Sequence, residues 1–192
     1  TTRAEWSPVL ERVIQGPAST GRLRAVPGAI VLPWKLAKRL YPAAEVATPS
    51  DPYSRHKDFY AAHRDRFDRP LERSRALVIH LSEGPARIRP ETLVATPFYQ
   101  PKFGATPLLV VSDSGGRAVY SRSFDGKELH FDLYLRDLET GAGLLTDRET
   151  GSVWEALSGR AIAGPHEGAT LTPMVFHELP EASATVLFPG QG

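Results

Sequence analysis

"AVYSRSFDGKELHFDLYL", residues 118–135, is the stretch whose reading decides the fold. Asp125-Gly126 at its centre offers two residues that tolerate positive φ, which a two-residue type I′ hairpin turn requires. Beyond the turn, Leu129, Phe131, Leu133 and Leu135 alternate with Glu128, His130, Asp132 and Tyr134. A period of two predicts a half-buried strand with its leucines and phenylalanine turned inward. The same pattern extends on both sides. "RALVIHL" (75–81) and "PLLVVS" (107–112) are short apolar runs that read as buried strands, and "EGPARI" supplies a turn and a further short strand. Downstream, "GLLT" leads in, "DRETGS" turns and "VWEAL" leaves; "GRAIAG" and "ATLTPM" read as strands around the turn "PHEG". Roughly eight or nine strands between residues 75 and 180 predict an antiparallel β-sandwich or open barrel.

The chain before residue 75 reads differently. "WSPVLERVIQG" predicts a short helix, with Ser7 as cap, Pro8 in the first turn, Gly16 at the end, and Val9, Val13 and Ile14 on one stripe. "LPWKLAKRLYP" predicts a second, opened by Pro33 and stopped by Pro42, with Trp34, Ala37, Leu40 and Tyr41 on one face. "SRHKDFYAAHRDRF" predicts a third, and residues 64–75 a solvated linker. The expected class is mainly β (α+β). Residues 1–74 form an N-terminal helical and loop extension, 75–182 the β domain, and 183–192 a tail.

Composition narrows the function classes. Net charge is +1, too small to steer a polyanion, and no basic stripe interleaves with aromatics, so nucleic-acid binding is not expected. Cysteine is absent, which excludes disulfides, thiolate catalysis and cysteine-ligated metals. No segment approaches the roughly 20 apolar residues of a membrane-spanning helix. The first residue is Thr rather than Met, which is compatible with a removed export signal or a trimmed chain.

"TDRETGSVWEALSGRAIAGPHEGATL", residues 146–171, carries the densest set of chemical groups. A structural reading accounts for them. Asp147 bonds backbone amides two residues on, Gly151 takes a left-handed position, Arg148 and Glu149 pair at the surface, and Trp154 packs beneath with its indole N–H on a carbonyl or an acid. A functional reading gathers Asp147, Arg148, Glu149, Trp154 and His166 with Ser112, Asp113 and Ser114 of "SDSGG" into a binding junction. "SDSGG" lacks the Gly-x-Ser-x-Gly elbow of a serine nucleophile, so no catalytic residue is assigned. His56 and His63 are two helical turns apart and lack His-x-x-x-His spacing, and His177-Glu178 gives no usable spacing; no metal site and no cofactor are expected.

"LLTDRETGSVWEALSGRAIAGPHEGATLTPM" closely resembles the most distinctive segment of the DUF3179 family. The shared positions are Asp147, Arg148, Thr150, Ser152 and Trp154, then Gly159, Ile162, Gly164, Gly168 and Leu171. "SRSFDGKELHF" is similar to the family's preceding hairpin through Asp125, Gly126 and Phe131, so the likeness covers residues 108–175. "WKLAKRLYPAAEV" and "DPYSRHKDFY", through Pro52, Tyr53 and Tyr60, resemble elements that commonly follow the sheet in that family. Here they precede it. The family usually carries Cys-Pro-x-Cys before the hairpin; in this chain Ser112 and Gly115 stand where those cysteines fall. Serine and glycine can neither cycle a disulfide nor bind a soft metal.

The expected role is therefore non-catalytic: an accessory or assembly protein presenting a β-sheet surface to a protein partner or to a larger membrane-associated assembly. The resemblance implies a periplasmic, secreted or membrane-peripheral location, with a cytoplasmic one as the alternative. The competing expectation is an enzyme or small-ligand or metal binder with its site near Asp147, Arg148 and His166. A metal-dependent redox protein is disfavoured by the absent cysteines.

Overall fold

The computed structural model describes residues 4–7, 9–16, 21–23, 30, 32–46, 75–113, 116–136 and 143–189. In chain order the elements are β1 (Glu5–Ser7), β2 (Arg12–Gln15), α1 (Trp34–Leu40), β3 (Arg75–Leu81), β4 (Gly84–Ile88), α2 (Pro90–Ala95), β5 (Phe98–Tyr99), β6 (Lys102–Phe103), β7 (Thr106–Asp113) and β8 (Gly116–Ser121). They continue with β9 (Ser123–Phe124), β10 (Lys127–Glu128), β11 (Phe131–Arg136), β12 (Gly143–Asp147), β13 (Val153–Glu155), β14 (Arg160–Ala163), β15 (Phe176–Pro180) and α3 (Glu181–Leu187). The protein is mainly β, with several antiparallel sheets, none of them closed into a barrel among the described residues.

The Asp125-Gly126 turn forms as its residues require: φ is +48° at Asp125 and +73° at Gly126, and β9 pairs with β10 across it. Leu129 and Phe131 are buried as the alternation predicts. The alternation then fails. A bulge between Leu133 and Leu135 shifts the pairing of β11 with β12, and Leu135 emerges 54% exposed. One extra residue in a strand reverses which face each later side chain takes.

The central layer is β7 paired with β8, and its near-continuous apolar sequence reflects burial on both faces. Leu109, Val111, Ala118 and Tyr120 pack with Phe131, Leu145, Trp154 and Ala161 of the β11-β12-β13-β14 sheet. Leu108, Val110 and Val119 face the other way, onto Leu77, Ile79 and Ile88 of the β15-β3-β4 sheet. The outer face of β3, Ala76 and Val78, is covered by Ala184 of α3. The region expected as a tail from residue 183 is thus part of a packed helix that begins at Glu181. "ATLTPM" forms isolated bridges at Thr170 and Pro173 instead of a continuous strand.

A buried arginine joins the central layer to the hairpin. Arg122 is 3% exposed and donates to the carbonyls of Leu108 and Leu129 and to the Glu128 carboxylate, at 2.9, 2.6 and 2.9 Å. A guanidinium buried in this way needs each of these acceptors, because an unpaired buried charge is strongly destabilising.

The first predicted helix is a hairpin. β1 pairs with β2, with Ser7 opposite Arg12. Ser7 does cap a backbone amide, since its Oγ accepts from the Leu10 N–H at 3.2 Å, but it closes a turn and not a helix. Glu11 sits at φ +53°, a left-handed conformation that ends any helical path. The second predicted helix exists; of its predicted face Leu40 packs against the core, but the most buried side chain is one outside that face. Leu36, 2% exposed, enters the core, while Trp34 and Tyr41 are exposed. Arg39 fixes α1 to the sheet through an ion pair of 2.5 Å with Glu155. The third predicted helix, the linker to residue 74, and His56 and His63 lie outside the described residues.

Candidate functional site

The corner between β12 and β13 is built around Asp147, a fully buried carboxylate. Its Oδ1 accepts from the backbone N–H of Thr150 at 2.6 Å and from the Thr150 hydroxyl at 2.8 Å. Its Oδ2 accepts from the indole N–H of Trp154 at 2.8 Å. The acid is thus the partner of Trp154, and the amide it holds lies three residues on, one further than the sequence predicts. Burial pushes the Asp147 carboxyl up, but the bonds from Trp154 and Thr150, aided by the nearby His166, outweigh it and hold the group below the usual carboxylate range.

The corner closes over itself. Thr150 Oγ and Ser152 Oγ share a bond of 2.7 Å, and Ser152 Oγ also accepts from the backbone N–H of His166 at 3.1 Å. Gly151 takes φ +71° at the tip. Gly164, at φ +93°, passes so close to Ser152 that a Cβ would come within 2.7 Å of its Cα. Phe124, Phe131 and His166 surround the Trp154 ring, with centroids at 5.5, 6.1 and 6.0 Å.

The structure brings Asp147, Trp154 and His166 together and turns the remaining candidates elsewhere. Arg148 and Glu149 do not pair with each other. Arg148 grips Asp132 with two bonds of 2.7 Å, and both side chains are more than half exposed. The Arg148 hydrogen bond and charge lower the Asp132 carboxyl's pKa. Glu149 accepts from the backbone N–H of His130 at 2.9 Å and pairs with its Nδ1 at 2.8 Å. The Ser112 hydroxyl donates to the Leu93 carbonyl in α2 at 2.9 Å, and Asp113 pairs with Arg136 of β11 at 2.6 Å. Ser114 lies outside the described residues, as does Gly115.

A second polar group lies on other elements, the β1–β2 turn and the β15-β3-β4 sheet, and was not legible in the sequence. Glu11 from the β1–β2 turn, His80 from β3 and His177 from β15 offer one potential ligand atom each, all within 4.8 Å of one another. The register that pairs His177 with Val78 sets the two imidazoles edge to face, 5.0 Å apart. Glu11 and His80 also line a cavity of about 390 Å³ shared with Arg12, Arg22 and Phe188. Burial, with His80 alongside, lowers the His177 pKa, partly offset by Glu11. The residues span positions 11 to 177, and no local spacing rule links them.

Among the described residues, no helix is long and apolar enough to cross a membrane. Set against family models, curated proteins and solved structures, the chain matches none of them.

Proposed function

We propose that this protein is a non-catalytic accessory or assembly protein, exported or peripheral to a membrane, that presents a β-sheet surface to a protein partner. A relationship to the DUF3179 family, with Ser112 and Gly115 in place of its cysteines, is part of the same reading. The observation that carries it is the Asp147 corner. The segment richest in catalytic residue types spends them internally, with Asp147 on Trp154 and Thr150, Arg148 on Asp132, and Glu149 on His130. A site built for a substrate keeps convergent polar groups open towards a cavity.

The surface offered to a partner follows from the sheet order. β11 and β14 are the outer strands of the four-stranded sheet, and each exposes a large apolar side chain: Leu135 at 54% and Ile162 at 44%. The outer strand β11 carries backbone groups that another chain can pair with, whereas β14 is already bridged on its outer side by residues 168–171 and offers the Ile162 side chain alone.

Chemical cross-linking in the source cells, followed by purification, tests this reading. The wild-type chain is expected to retain one protein in stoichiometric amount, and the variants Leu135→Glu and Ile162→Glu to lose it while keeping their circular-dichroism spectra. Retention of the same partner by both variants would refute the assigned surface. A wild-type chain with no partner would refute the role.

A further inference from the structure

We propose that Glu11, His80 and His177 form a binding site for a divalent transition-metal ion of the zinc class, with an open coordination position. This site is separate from the outer strands of the partner surface and stands or falls independently of it.

The chemistry of the donors is the first argument. Two imidazoles and one carboxylate are the ligand set that zinc and its neighbours take when three protein groups bind and a fourth position stays free. Hard cations such as calcium and magnesium prefer all-oxygen sets. The second argument is spacing. The His80 Nδ1 to Glu11 Oε1 separation is 3.6 Å, too long for a hydrogen bond. It is close to the separation of about 3.3 Å between two ligands on a tetrahedral zinc with bonds of about 2.0 Å.

One ring nitrogen also has unmet valence. His177 Nε2 is buried and has no hydrogen-bond partner among the described residues. A buried imidazole nitrogen without a partner costs stability unless something else fills its role.

The backbone agrees. Glu11 is one of two non-glycine residues with positive φ among the described residues. Both lie in hairpin turns, and at Glu11 the left-handed conformation closes the β1–β2 turn while the carboxylate lies near the histidines. A metal here would tie the β1–β2 hairpin to the β15-β3-β4 sheet. The adjoining cavity, lined by the exposed Arg12 and Arg22, would favour an anion or anionic group at the open position.

The test is a titration of the full chain, purified without a polyhistidine tag and stripped with a chelator. Zinc is followed by calorimetry, and cobalt(II) by its visible absorption. One ion per chain is expected, with tetrahedral or five-coordinate cobalt bands. His177→Gln and Glu11→Gln should each weaken zinc binding at least tenfold, with unchanged circular-dichroism spectra. Glu11→Gln sits in a surface turn and guards against misfolding as the cause. Absence of 1:1 binding, or affinity unmoved by either substitution, would overturn the assignment.

Discussion

The Asp147 corner and the Glu11–His80–His177 group are both polar clusters set against packed sheet, and they treat hydrogen-bonding capacity in opposite ways. At the corner, both carboxylate oxygens of a fully buried acid have donors at 2.6–2.9 Å. At the histidines, the buried Nε2 of His177 has none. On the proposal made above, the difference separates polar groups that hold the fold from polar groups that take a metal ion. It also runs against intuition from sequence, because the corner has the conspicuous motif and the histidines have no motif at all.

The strongest way to break this comparison is to empty the corner. Trp154 is 1% exposed and touches three rings as well as Asp147. Trp154→Ala removes that packing and strips Asp147 Oδ2 of its donor, so a loss of about 3–5 kcal/mol is expected in urea unfolding. A loss below about 1 kcal/mol would mean that the corner does not hold the fold, and its residues would again need a function.

A smaller effect sharpens the same point through pH. The folded-state pKa of Asp147 lies below its unfolded value of about 3.9. Stability from its ionised form is therefore complete well above pH 4 and is lost as pH falls through the folded value. Asp147→Asn keeps the shape but loses the charge that receives these bonds, and should cost about 1–3 kcal/mol at pH 7. The gap between wild type and variant should narrow as pH drops below about 4. A constant gap down to pH 3 would show that the carboxylate's charge contributes nothing there.

What the sequence disclosed follows the range of the interactions. The Asp125-Gly126 turn, β3, β4, β7 and the β12–β13 corner depend on neighbours within about ten residues, and their turn chemistry and apolar periods are written locally. The link from Trp154 to an acid was legible because Asp147 sits just across the same turn. The β1–β2 hairpin was misread because Val9, Val13 and Ile14 satisfy a helical stripe as well as a strand, and only the left-handed Glu11 separates the two. Arg122 looks like a surface residue between two serines, and its burial depends on carbonyls supplied by Leu108 and Leu129. His80 and His177 meet only because β15 pairs with β3 across nearly a hundred residues, and a register of that range has no local signature.

The smallest predicted effect bears on the second half of the comparison. In chelator-treated protein, His177→Leu replaces a partly buried imidazole, whose Nε2 has no partner, with an apolar side chain of similar size. Removing an unsatisfied buried polar atom relieves a desolvation cost, while the edge-to-face contact with His80 is lost. The two nearly cancel, so unfolding stability should stay within about 1 kcal/mol of wild type or rise. Added zinc should then raise the melting temperature of the wild-type chain and leave that of the variant where it was. A loss above about 2 kcal/mol without metal would mean that His177 holds the fold just as Asp147 does, and the distinction between the two clusters would disappear.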